Sequence, residues 1–184
     1  MHPPLFYIHG KDSGPSGFRA QFLKRHFPKI LIPQLNNDVP RRLEVLDEVV
    51  KTPSFLVGSS LGGLTSLGFA QDHPERVAGM VLIAPAVGFY DPAYKTPEVL
   101  DYISDLVIPQ GIPTHVIAAR RDEIIPLADI ESLIQRSGMA EEIPFTVFDE
   151  DHLLHSSRAL EAQLQAIEAV TGFSREADTS GQTG

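Results

Sequence analysis

The sequence predicts an α/β fold in which a mostly parallel sheet of about six strands carries helices on both faces. Apolar segments of strand length alternate with longer segments of helical period, the pattern of successive βα units. The strand segments are nearly continuous in Val, Ile, Leu and Phe, as expected of strands buried on both faces. One of them runs directly into a glycine- and serine-rich turn, "VGSSLGG", followed by a segment of helical pattern.

Taken in order, the first strand is Leu5–His9, followed by a helix over Gly17–Phe27 with Phe18, Phe22, Leu23 and Phe27 on one side. A second strand is expected at Lys29–Pro33. The next helix, Arg41–Lys51, repeats Leu43, Leu46, Val49 and Val50 at spacings of three and four. Ser54–Gly58 is the third strand, and a helix from Ser60 to about Asp72 starts inside the glycine stretch. Gly79–Ala84 is the fourth strand. Val87–Gly111 then interrupts the alternation with three prolines, Tyr90, Tyr94, Tyr102 and one helix near Pro97–Val107. It is too long for a simple connection and reads as a short lid-like insertion. Strand Thr114–Ala119, helix Leu127–Ser137 and strand Pro144–Phe148 follow. The last helix, Leu153–Thr171, carries Leu160, Leu164, Ile167 and Val170 and closes at Gly172. Ser174–Gly184 has no apolar period and reads as a disordered tail, leaving one domain over residues 1–173.

Composition narrows the functional classes. The 184 residues are 42% hydrophobic and 21% charged, the balance of a single globular domain with a sizeable core. With no cysteine there are no disulfides, thiolate metal sites or cysteine nucleophile. A net charge of −9 disfavours nucleic acid or an anionic membrane as the partner, because phosphate binding needs a basic surface. No basic segment followed by a long apolar stretch opens the chain, and no apolar run approaches the ~18 residues of a membrane span. A soluble cytoplasmic protein is expected. No lysine follows Gly62 and Gly63, so the stretch is not a Walker-type phosphate loop.

Gly58-Ser59-Ser60-Leu61-Gly62 matches G-x-S-x-G centred on Ser60, the pattern of a nucleophile on a tight strand-to-helix turn. Small flanking residues are needed there because Cβ atoms would strike the neighbouring strand and helix. The turn exposes the hydroxyl and aims the N–H groups of the new helix at developing negative charge. Ser59 fills the turn, since no such pattern is centred on it.

A serine hydroxyl needs a base to become nucleophilic. Of seven histidines, His152 lies four residues past the last strand, in "FDEDHLLHS", on a loop at the same carboxyl edge as Ser60. His155, a turn inside the following helix, is its main rival. The base in turn needs an acid to fix its tautomer. Asp122, in "VIAARRDEIIP", follows the preceding strand, with Glu123, Asp149 and Asp151 as alternatives. The backbone amides of Lys11 and Leu61 are the natural oxyanion pair, and His9 reads as a brace of the first loop. Asp151, His152 and His155 have the spacing of a metal site but lack a further convincing ligand, so no metal or cofactor is expected.

These marks, "IHGKDSG", "VGSSLGG", "HPERVAGMVLIAPA", "RRDEIIP" and "DEDHLL" across residues 5 to 155, resemble the α/β-hydrolase superfamily. The early "IHG…IPQL…VGSSLGG" run is similar to the small bacterial YqiA-like esterases. Members usually carry two strands before the HG motif, whereas this sequence starts at it. The resemblance therefore implies a minimal α/β-hydrolase fold, with Ser60 as nucleophile, Asp122 as acid, His152 as base and Lys11 and Leu61 as oxyanion amides. It implies a small-molecule acyl ester or thioester as substrate, without fixing which. A non-catalytic binding protein on the same fold is the competing reading.

Overall fold

The computed structural model describes residues 2–138 and 140–176. Its centre is a wholly parallel sheet of five strands, β1 (Leu5–Ile8), β2 (Ser54–Ser59), β3 (Val77–Ile83), β4 (Thr114–Ala119) and β5 (Phe145–Phe148), lying side by side in chain order. Ile8 stands opposite Gly58, Ser59 opposite Ile83, and Ala119 opposite Phe148. All five carboxyl ends therefore meet at one edge.

Among the described residues, six α-helices complete the fold: α1 (Phe18–His26), α2 (Val39–Val49), α3 (Leu61–Asp72), α4 (Pro97–Asp105), α5 (Leu127–Arg136) and α6 (Ser157–Thr171). Side chains alternate across the strands, so each strand feeds two cores. Phe6, Ile8, Leu56, Met80, Leu82 and Val116 pack with Leu46 of α2, Leu67 of α3 and Leu133 of α5. Tyr7, Val57, Val81, Ile83 and Ile117 pack on the opposite face with Leu23 of α1 and Leu164 and Ile167 of α6. Burial on both faces is why the strands carry so little polar alternation.

The strand expected at Lys29–Pro33 does not form. Leu31 makes a single bridge to Phe6: its N–H donates to Leu5 O at 2.8 Å, and its carbonyl accepts from Tyr7 N at 2.9 Å. The next donor in register would come from residue 33, a proline without an N–H, so the ladder stops after one rung. The sheet thus has five strands where about six were expected. This segment still matters for position. The chain leaves β1 on one side and returns through β2 on the other, so the order reverses at β1. In such sheets the crevice beyond the carboxyl ends at the reversal is where ligands bind.

Two further boundaries differ from expectation. α6 starts at Ser157, not Leu153, because Ser156 caps it by accepting from Ala159 N at 3.1 Å and Leu154 takes φ 50°. Residues 152–156 are therefore loop. Of the tail expected at 174–184, residues 177–184 lie outside the described residues. Arg175 pairs with Glu161 of α6 at 2.6 Å, and Glu176 N donates to His26 O at 2.8 Å, which ties 174–176 to the body. Within 87–111, Ile103, Leu106 and Ile108 are buried in the core on the α2–α3 face. That part is packed structure, and the stretch around Tyr94 is the part that reaches the carboxyl edge.

Candidate active site

β2 ends at Ser59 and α3 begins at Leu61, which leaves Ser60 alone to turn the chain. It does so at φ 52°, ψ −119°, a conformation that costs a non-glycine residue about 1–3 kcal/mol and persists only where the surroundings enforce it. They do. Ser60 N donates to Ile83 O at 2.9 Å, and Ser60 O accepts from Gly63 N, Ala86 N and Leu64 N at 2.9, 3.0 and 3.2 Å.

The flanking glycines are a matter of space. A Cβ on Gly62 would lie 1.8 Å from Ile8 O, and one on Gly58 would lie 2.5 Å from Gly62 O. Both clashes are with backbone, which cannot swing aside as a side chain can. Gly62→Ala should therefore destabilise the protein by about 3 kcal/mol or more, the upper end of overpacking effects, and shift the urea midpoint accordingly. A midpoint equal to wild type would show that the α3–β1 contact is slack.

Loops from three strand ends converge on the serine. His152 Nε2 lies 3.0 Å from Ser60 Oγ, and His152 Nδ1 lies 2.7 Å from Asp122 Oδ2. The Asp122 side chain is 1% exposed and that of His152 10%. The other carboxylate oxygen of Asp122, Oδ1, accepts from Ile124 N and Ile125 N at 2.9 and 2.8 Å. With Oδ1 occupied, Oδ2 alone faces the imidazole. A carboxylate there favours the tautomer with its proton on Nδ1, leaving Nε2 to accept the serine proton.

The alternative residues are engaged elsewhere. Asp149 pairs with Arg121 at 3.1 Å in solvent, and Asp151 Oδ1 accepts from Leu153 N at 3.0 Å. Glu123 accepts from the backbone N–H of His152 at 3.2 Å, so it holds the loop, not the ring. His155 sits on the loop before α6 with its ring 4.3 Å from that of Phe18. Burial, reinforced by the nearby Arg19 charge, pushes its pKa below the ordinary histidine value. No group of three or more His, Asp or Glu side chains among the described residues is placed to hold a metal ion.

Two backbone amides lie beside the serine, that of Leu61 directly after it and that of Lys11 after Gly10, where an added Cβ would stand 3.5 Å from Ser60 Cβ. The Ser60–Leu61 peptide is pinned by the three bonds to Ser60 O, and its N–H points the opposite way, as a planar trans peptide requires. The Gly10–Lys11 peptide is pinned likewise, since Gly10 O accepts from His9 Nδ1 at 2.9 Å. Among the described residues, neither the Leu61 nor the Lys11 amide donates to a protein acceptor. The Lys11 side chain runs outward, donating from Nζ to Tyr94 Oη at 2.9 Å.

His9 braces this loop. Leu35 N donates to its Nε2 at 3.2 Å, so the ring proton sits on Nδ1 and points at Gly10 O. Burial pushes the His9 pKa down, and the charge on Arg42 adds to the effect. Arg42 itself was not legible as part of the site. Its guanidinium is fully buried and donates to the carbonyls of His9 and Asn36 and to Thr65 Oγ1. The available signal was its place on the apolar face of α2, four residues before Leu46.

Comparison with known proteins agrees with this architecture. Residues 34–112 match the model of the serine aminopeptidase (S33) family. A 55-residue stretch is 36% identical to the chloroplastic pheophytinase of Arabidopsis thaliana, covering 29% of this chain and 11% of that protein. Among solved structures, the chain superposes on the monoacylglycerol lipase of Paleococcus ferrophilus with TM-score 0.75 and 14% identity, over 94% of this chain and 96% of that one. A protein of the alpha/beta superfamily from Xanthomonas campestris pv. campestris gives TM-score 0.72 and 21% identity over 94% and 100%. The mouse alpha/beta hydrolase domain-containing protein 10 gives 0.64 and 21% over 92% and 89%. The fold is that of the α/β hydrolases, reduced to five strands.

Proposed function

We propose that the protein is a serine hydrolase that cleaves carboxylic esters or thioesters through an acyl-enzyme. The observation that carries this reading is the continuous chain from Ser60 Oγ through His152 to Asp122, with links of 3.0 and 2.7 Å, hung on a serine at φ 52°. A buried carboxylate, an imidazole and a hydroxyl in that order serve proton transfer to and from the serine.

In this reading Ser60 Oγ attacks the acyl carbon while His152 Nε2 takes its proton. Asp122 stabilises the imidazolium so formed. The carbonyl oxygen becomes an oxyanion, which the amides of Lys11 and Leu61 stabilise. Collapse expels the alcohol or thiol, protonated from His152, and leaves Ser60 acylated. Water, deprotonated by His152, then attacks the ester carbonyl, and collapse returns the acid and free Ser60. The likeness of the sequence to YqiA-like esterases supports esters over amides.

Fluorophosphonate labelling with peptide mapping tests the proposal. Labelling should be stoichiometric and confined to Ser60, and labelled protein should lose hydrolysis of p-nitrophenyl acetate. Failure of several such probes to label the folded protein would favour a non-catalytic binding role for the fold.

A further inference from the structure

The guanidinium of Arg42 is buried without a counter-ion. No carboxylate among the described residues pairs with it, and its acceptors are all neutral. Burial pushes its pKa down to about 10, so it remains charged at neutral pH. Burying a full charge without a counter-ion is costly, and here only hydrogen bonds to neutral acceptors offset that cost.

Its three partners belong to three separate segments. Nη2 donates to His9 O at the end of β1, within two residues of Lys11. Nε donates to Thr65 Oγ1 in α3 at 2.9 Å, and Thr65 Oγ1 donates in turn to Leu61 O at 2.7 Å. Nη1 donates to Asn36 O at 2.7 Å, next to Leu35, whose N–H fixes the His9 ring. The guanidinium thus joins the segment that presents the Lys11 amide to the one that presents the Leu61 amide. It also holds the loop that orients His9. A rigid planar fork with five donors suits such a three-way link, whereas an ammonium does not.

We propose that Arg42 is a positioning residue of the oxyanion site: it sets the spacing of the Lys11 and Leu61 amides and lends them a fixed positive charge. The proposal rests on the serine-hydrolase reading above. An oxyanion amide is useful only at the right separation from its partner, and a misplacement well below a bond length weakens both hydrogen bonds. The charge acts at the same place, favouring negative charge that develops in the transition state over the neutral ground state.

The test compares Arg42→Met and Arg42→Lys with wild type on p-nitrophenyl acetate. It adds the affinity for an aryl trifluoromethyl ketone, whose adduct with Ser60 carries an oxyanion. In Arg42→Met, kcat should fall about 10- to 100-fold with KM within about 2-fold, and ketone affinity should fall in parallel. Arg42→Lys, which keeps the charge and loses the fork, should fall between the two. Should Arg42→Met fail to fold, Thr65→Val decides. It cuts the link to α3 while the guanidinium stays, and kcat should fall several-fold at unchanged KM. Folded variants that lose only thermal stability, with kcat and ketone affinity at wild-type values, would overturn the proposal. Absence of fluorophosphonate labelling at Ser60 in wild type is a different failure, since it removes the serine-hydrolase reading and this inference with it.

Discussion

Ser60→Ala should lower kcat toward p-nitrophenyl acetate by about 10⁶-fold, to the level left by binding and the oxyanion amides alone. It should do so without disturbing the fold. Ser60 Oγ bonds only to His152 Nε2 among the described residues, and the hydrogen bonds that hold the corner come from backbone groups that alanine keeps. Alanine also bears the same φ 52° strain as serine, so the melting temperature should stay within a few degrees of wild type. Steady-state kinetics after an active-site titration of wild type measures the effect. Retention of more than about a hundredth of the activity would move the nucleophile elsewhere. Ser59 is poorly placed to take over, because its hydroxyl is buried and bonded to Tyr7 Oη at 2.9 Å.

Asp122→Asn should cost about 10⁴-fold in kcat, again with the fold intact. The asparagine carbonyl can keep the bonds from Ile124 N and Ile125 N, which are what hold the loop. Its amide NH₂ then faces His152 Nδ1 where a carboxylate oxygen stood 2.7 Å away. A donor at that position favours the tautomer with an unprotonated Nδ1 and a proton on Nε2. The nitrogen facing Ser60 can then no longer accept. Two measurements separate this from unfolding: a chemical-denaturation midpoint near wild type, and pre-steady-state acylation slowed as much as turnover. Near-normal activity would transfer the role to Glu123, which already touches the backbone of His152.

Legibility in the sequence followed how local the controlling physics is. β3 and β4 were readable because burial on both faces leaves continuous Val, Ile and Leu runs, as in "MVLIA" and "HVIAA". Gly58, Ser60 and Gly62 were readable because a one-residue turn between strand and helix tolerates few side chains. Lys29–Pro33 misled because its apolar residues fit a strand, while one rung of pairing with β1 exhausts the donors before Pro33. The apolar period of α6 extends back through Leu153 and so predicts His155 inside the helix. The Ser156 cap and the φ of Leu154 cut it off.

The sequence by itself determined the alternation of strands and helices and the chain order of Ser60, Asp122 and His152. Both are written in local periodicity and in residues with few substitutes. Which acid meets the imidazole was decided only in three dimensions. Asp122, Glu123, Asp149 and Asp151 all lie on neighbouring loops, and the amides of Ile124 and Ile125 aim one of them at Nδ1. The role of Arg42 likewise exists only in the tertiary structure. In the sequence it is one arginine beside another. In the fold it is a buried charge whose bonds span segments more than fifty residues apart, from His9 to Thr65. Periodicity reports which face of a helix is buried, but not what that face holds together.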